Sequence, residues 1–211
     1  MKRILTLSLV LVMLLCATAS AETCKIQHGV DMASDMTDCT LYVGFAVEDV
    51  SDTEIFVTIY DEVSYDLVDV NHLSIGDTLE TADGDIEVVS RETDEYGYIL
   101  INGGAEEGGV TLLAADEDNC YHAMSYELVE KMAMGQANLT MADEVTVSIY
   151  KHDEFLSPTE DGYNSVTVAA ADVAGQLMEF SEEYAPEFTP YQTRAVVENG
   201  FLIELIVDYV P

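Results

Sequence analysis

Apolar and polar side chains alternate along the first part of the chain. Over residues 40–50, Leu41, Val43, Phe45 and Val47 fall on one side, and Tyr42, Gly44, Ala46 and Glu48 on the other. This is the two-residue period of a half-buried strand. After Val50-Ser51-Asp52 the pattern resumes with Ile55, Val57 and Ile59, so residues 53–60 form a second strand and the two make a hairpin. Residues 61–71 fit either a short helix or a wide loop.

Residues 73–104 alternate in shorter runs punctuated by Gly76-Asp77, Asp83-Gly84 and Asn102-Gly103-Gly104. Such punctuation predicts brief antiparallel strands joined by tight turns. Around Tyr96 to Ile101 both faces are apolar, which predicts a strand covered twice, in the middle of a sheet. Gly108-Gly109 opens a further run from Val110 to Ala114.

A helix is expected over residues 124–135. Ser125 stands as its cap, Leu128, Val129 and Met132 as its stripe, Glu127 and Lys131 as an ion pair four apart, and Gly135 at its end. Strands follow at 143–150 and 165–168. A second helix over 172–184 carries Val173, Leu177, Phe180 and Tyr184 on one face and stops before Pro186. The chain closes with a hairpin, 193–198 and 201–210, around Asn199-Gly200. Its apolar row is expected to be Phe201, Ile203, Leu205, Val207 and Tyr209.

The fold class that follows is mainly β, a β-rich α+β fold: a twisted antiparallel sheet or small open barrel with one or two helices. Residues 22–39 form an acidic arm and 40–211 a single domain, the alternative being two small β subdomains divided near 115–140. The four methionines Met124, Met132, Met134 and Met141 are read as core filling.

The N-terminus changes the picture of where the protein works. Lys2 and Arg3 head an apolar run from Ile4 to Cys16, followed by Ala19-Ser20-Ala21, the build of a cleaved export signal over residues 1–21. The run is too short to span a bilayer. A lipid anchor is disfavoured because Leu15 and Thr23, not small residues, precede Cys16 and Cys24. The protein is therefore expected to be exported, either secreted or at the cell surface. An oxidising compartment predicts a disulfide among Cys24, Cys39 and Cys120, and the spacing does not choose the pair.

Charge then narrows the partners. The 211 residues carry a formal −34, and after cleavage five bases (Lys25, Arg91, Lys131, Lys151, Arg194) face 41 acids. Nucleic acid and anionic membranes, which need a cationic face, are excluded. A protein or cationic ligand, or a multivalent cation, remains compatible.

Candidate chemistry is sparse. No Gly-x-Ser-x-Gly elbow occurs, and none of His28, His72, His122 and His152 lies in a local catalytic motif. Cys24, His28, Cys39, Cys120 and His122 lack the paired spacings of zinc modules. The weak calcium candidates are Asp83 and Asp85, and Asp116, Asp118 and Asn119, which place oxygens on turns without completing a binding loop. No other cofactor is indicated. Without tryptophan, a sugar-binding cleft would have to draw on the twelve tyrosines.

Leu73-x-x-Gly76-Asp77-Thr78, then Ile101-Asn102-Gly103-Gly104 with Gly108-Gly109, and the ending Asn199-Gly200 through Tyr209-Val210-Pro211 together resemble a group of exported β-rich proteins of Gram-positive gut bacteria. The resemblance implies no activity and no functional residues. Two functional readings follow from the sequence: an exported, non-catalytic binding or interaction module, or a secreted hydrolase using paired carboxylates or a divalent metal.

Overall fold

A computed structural model describes residues 21–29, 32, 36–115, 119–125, 128–150, 163–184 and 188–208. The expected export signal lies outside them except for Ala21. The fold is β-rich α+β. The described residues fall into two compact units, one drawn from residues 21–26 and 65–121, the other from 27–64 and 122–208.

The larger unit is built on six strands: β1 (Cys39–Gly44), β2 (Glu54–Glu62), β3 (Lys131–Tyr150), β4 (Tyr163–Ala169), β5 (Thr193–Glu198) and β6 (Phe201–Val207). Their order is β4-β3-β6-β5-β1-β2, and β2 pairs again with β3. Five of the strands thus close into a ring, with β4 outside it at an edge. The expected barrel is closed rather than open. It is also not wholly antiparallel, because β3 and β6 run parallel.

Alternation explains its interior. Leu41 and Val43 from β1, Ile55, Val57 and Ile59 from β2, and Ala195 and Val197 from β5 are buried. So are Leu139, Met141, Val145, Val147 and Ile149 from β3, and Leu202, Leu205 and Val207 from β6. Each fully buried aliphatic side chain of this kind contributes about 1.5–3 kcal/mol. The helix Val173–Tyr184 adds Val173 and Leu177 to the same cluster. It is the helix expected from residue 172, with a single 3-10 turn, Ala170–Asp172, before it.

Several expectations fail, each for a tertiary reason. No helix forms at 124–135: among the described residues there, Met124, Ser125, Leu128 and Val129 lie in short strands, and Lys131 begins β3. The backbone from Lys131 to Thr140 bonds to β2 instead, and Gly135 marks a bulge in that pairing rather than a helix end. The first strand stops at Gly44, short of residue 50. Phe45 there stacks on Phe188 at 4.8 Å between ring centroids, and a 3-10 turn follows at Val47–Asp49.

In β6 the apolar row shifts. Pairing with β5 slips between Val196 and Val197, so Leu202 rather than Phe201 turns inward and Phe201 is exposed. The final turn is as read: Asn199 and Gly200 both have positive φ, and the Asn199 amide donates to Asp38. Part of the acidic arm is woven in, with Thr23–Cys24 and Ile26–Gln27 in strands.

The smaller unit holds the turn-rich stretch. The ambiguous residues form strand Ser64–Asp66 and helix Leu67–His72, whose first amides are capped by Asp66. Thr78–Leu79 pairs with Thr23–Cys24 and with Ile86–Glu87. Ile99–Ile101 lies between Arg91–Thr93 and Val110–Ala115, the interior place its two apolar faces predict, although Tyr96 is outside the strand and exposed.

Asn102 completes this corner. Its side chain accepts from the amides of Val89 and Ser90 and donates to the Glu87 carbonyl, standing in for a missing strand neighbour. Gly109 is required beside it, because a Cβ there would lie 2.0 Å from the Ile101 carbonyl oxygen.

The expected disulfide is not formed. Cys24, Cys39 and Cys120 are all thiols. Cys24 belongs to the small three-stranded sheet, Cys120 to another sheet and Cys39 to the barrel, so each is fixed by a different set of backbone pairings.

Two glycines make opposite predictions. Gly109→Ala should destabilise the smaller unit by at least about 2 kcal/mol through the forced backbone shift. Gly175→Ala, in the helix with open space around it, should stabilise by about 0.5–1 kcal/mol. Unfolding followed by circular dichroism checks both.

Candidate functional site

The barrel's outer surface carries a belt of polar side chains drawn from five strands and the residue that follows the sixth. Tyr42 alternates outward between the buried Leu41 and Val43, and Glu62 projects from the end of β2. Lys131 stands directly opposite Glu62 in the β2–β3 register. Arg194 on β5 is the register partner of Tyr42. Asp208 follows β6, and Tyr163 opens β4.

Lys131 is the centre of one half. Its ammonium lies 2.6 Å from Glu62 Oε1 and 3.2 Å from the centroid of the Tyr42 ring, and its side chain is only 6% exposed. A cation placed so deeply needs both contacts, the carboxylate and the electron-rich ring face. His122 Nδ1 approaches the other Glu62 oxygen at 3.5 Å. The neighbouring Asp61 is buried and accepts the amides of Gly29 and Glu62.

The other half is a clamp. Arg194 Nε and Nη2 donate to the two Asp208 oxygens at 2.8 and 3.1 Å, a bidentate pair. The Tyr163 hydroxyl donates to Asp208 as well.

These contacts set the protonation states. Burial raises the Glu62 carboxyl, but hydrogen bonding and charge from Lys131, with Tyr42 and His122, outweigh it and hold the group below its ordinary value. Burial lowers Lys131, against the opposing pull of Glu62. Burial and the adjacent Glu62 push the Tyr42 phenol up to about 12. Tyr163 is raised by burial and by Asp208, and hydrogen bonds to Asp208 hold the guanidinium of Arg194 up. The resulting state is two ion pairs with both phenols protonated. Neither phenol is a base near neutral pH, and Glu62 is held in its ionised form by the lysine.

The smaller unit offers a shallow notch lined by Glu22, Thr23, Cys24, Asp69, His72, Leu73 and Asp77. Cys24 and His72 are the residue types of a thiol nucleophile and its base. Burial and the nearby Asp69 and Asp66 push the thiol up to about 11, the reverse of what activation requires.

The sequence candidates do not converge. Asp83 and Asp85 are exposed on the turn where the Thr81 hydroxyl bonds the Gly84 carbonyl. Asn119 has positive φ, and its carbonyl accepts the Leu67 amide. Asp116 and Asp118 lie outside the described residues. Among the described residues no three His, Cys, Asp or Glu side chains gather to hold a metal ion. None of the belt was nominated by motif. The available signal was scarcity, since Lys131 and Arg194 are two of only seven bases in the chain.

No protein-family model, curated protein or solved structure matches the chain.

The Lys131 pair should respond asymmetrically. Glu62→Gln strands a buried ammonium and should cost about 2 kcal/mol, less than the ~3–5 of a fully buried pair because Glu62 is 28% exposed. Lys131→Met removes the charge, keeps the packed stem, and should cost less than half as much in urea denaturation. The reverse order would contradict the burial argument.

Alkaline pH gives a second test. The folded Tyr42 value lies above the ordinary 10.0, so its contribution is fully present below about pH 10 and lost as pH rises towards 12. The difference between wild type and Tyr42→Phe in alkaline unfolding should shrink across that window.

Proposed function

We propose that this is an exported, acidic, non-catalytic β-rich binding module. The observation that carries the reading is the electrical state of the belt: Glu62 with Lys131 and Asp208 with Arg194 are matched, and the phenols of Tyr42 and Tyr163 are raised. General acid–base catalysis needs a group poised near the working pH. Paired and neutralised groups instead make a rigid, pre-set surface. Export is supported by the basic head, apolar run and Ala19-Ser20-Ala21 of the N-terminus. Among the described residues, no helix is long and apolar enough to cross a membrane.

The acidic surface outside the belt suits a protein or cationic ligand as a partner. The resemblance to the exported β-rich group named above rests on turn and strand residues and supports a scaffold, with no activity implied.

The test is a turnover screen with chromogenic esters, glycosides, phosphates and a peptide mixture, with and without calcium and magnesium. No product above the buffer rate is expected. Turnover that disappears in Glu62→Gln would assign catalysis to the belt and overturn the proposal.

A further inference from the structure

Among the described residues, backbone pairing in the smaller unit begins at Glu22, the residue that follows the expected cleavage after Ala21. The Thr78 amide donates to the Glu22 carbonyl at 2.8 Å and the Glu80 amide to the Cys24 carbonyl at 3.0 Å, which lays Thr23–Cys24 parallel to Thr78–Leu79. The Glu22 nitrogen is held as well, since it donates to Asp77 Oδ1 at 3.0 Å. The other oxygen of that carboxylate, Oδ2, accepts the Ser74 amide at 2.8 Å, so the acceptor is fixed from both sides. Ala21 and Glu22 are both exposed, and the bond between them is open to a peptidase.

An amide nitrogen brings one proton and no charge to this contact. Hydrolysis of the Ala21–Glu22 bond by an export peptidase adds one water, leaves a carboxylate on Ala21, and gives Glu22 an amine that is protonated below its ordinary pKa of about 8. The atom already at hydrogen-bond distance from Asp77 then becomes an ammonium, and a neutral donor becomes a charge-assisted one. The surroundings favour a cation. The notch that Glu22 and Asp77 line also holds Asp69 and His72 from the helix and the Cys24 thiol, and among the described residues no lysine or arginine lines it.

We propose that the smaller unit captures the amino terminus created by export cleavage, with Asp77 as its partner. The inference rests on the export reading and adds what processing does to the fold. Before cleavage the two-residue strand Thr23–Cys24 is tied by neutral hydrogen bonds; afterwards an ion pair pins its free end. Cys24 on that strand is 3% exposed, so the same pin keeps its thiol covered in an oxidising compartment. The pair raises the amine above its ordinary value, and its contribution is therefore fully present below about pH 8 and lost as pH rises through the folded value.

The test starts from the full chain secreted by a Gram-positive host and collected from the medium. N-terminal sequencing should find Glu22 first. Competitive acylation of the α-amine from about pH 6 to 10, read in the N-terminal peptide by mass spectrometry, should give a titration above the ordinary value of about 8. Asp77→Asn should return it to that value and speed acylation near neutral pH by about threefold or more. A form with one extra residue, beginning at Ala21, moves the charge away from Asp77. It should unfold at lower urea than the Glu22 form near neutral pH, and the difference should vanish by about pH 10. In the Asp77→Asn background, where the altered Ser74 contact is common to both forms, the difference should be absent. A first residue other than Glu22, an α-amine that titrates at its ordinary value, or equal stability of the two forms overturns the inference and leaves export standing. Retention of the chain inside the cell overturns the export reading and the inference with it.

Discussion

One strand belongs to both sides of the barrel, and the larger unit depends on that sharing. The first half of β3 pairs antiparallel with β2, and its second half pairs with β6 and β4. To serve both, the strand must turn a corner. The register with β6 jumps from Met141 opposite Leu202 to Thr146 opposite Glu204, which places the irregularity between the two halves. Inward parity survives the corner, from Leu139 and Met141 to Val145, Val147 and Ile149. The parallel β3–β6 contact requires a long return path, which β4, the helix Val173–Tyr184 and β5 provide.

Closure of the ring also creates the belt. Tyr42, Glu62, Lys131 and Arg194 come from β1, β2, β3 and β5, and only the closed order brings them together on one outer surface. Two of the seven bases of the chain, Lys131 and Arg194, are committed there to ion pairs with Glu62 and Asp208.

The smaller unit shows what concentrated turn residues do. Asp77 accepts the amides of Glu22 and Ser74, Gly76 bonds Val88, and Asn102 ties Glu87, Val89 and Ser90. These glycines, aspartates and asparagines are engaged in holding short strands in register. The calcium candidates Asp83 and Asp85, by contrast, stay exposed on their turn.

Much of the fold was legible because alternation is a local property. The hairpin of β1 and β2, the helix from residue 173 and the last turn at Asn199-Gly200 follow from period and turn chemistry within a few residues. The segment 124–135 was not, since Leu128, Val129 and Met132 satisfy a helical stripe as well as a strand, and pairing with β2 decided between them. The belt was illegible for the same reason: Lys131 had a sequence neighbour at Glu127, but its partner is Glu62, 69 residues away. By itself the sequence determined the strand-rich class, the turns and the acidic balance, all set by local pattern and composition. Only the tertiary structure decided barrel closure, the thiol state of the cysteines and the pairing of the charges, because each depends on which distant backbones hydrogen-bond to one another.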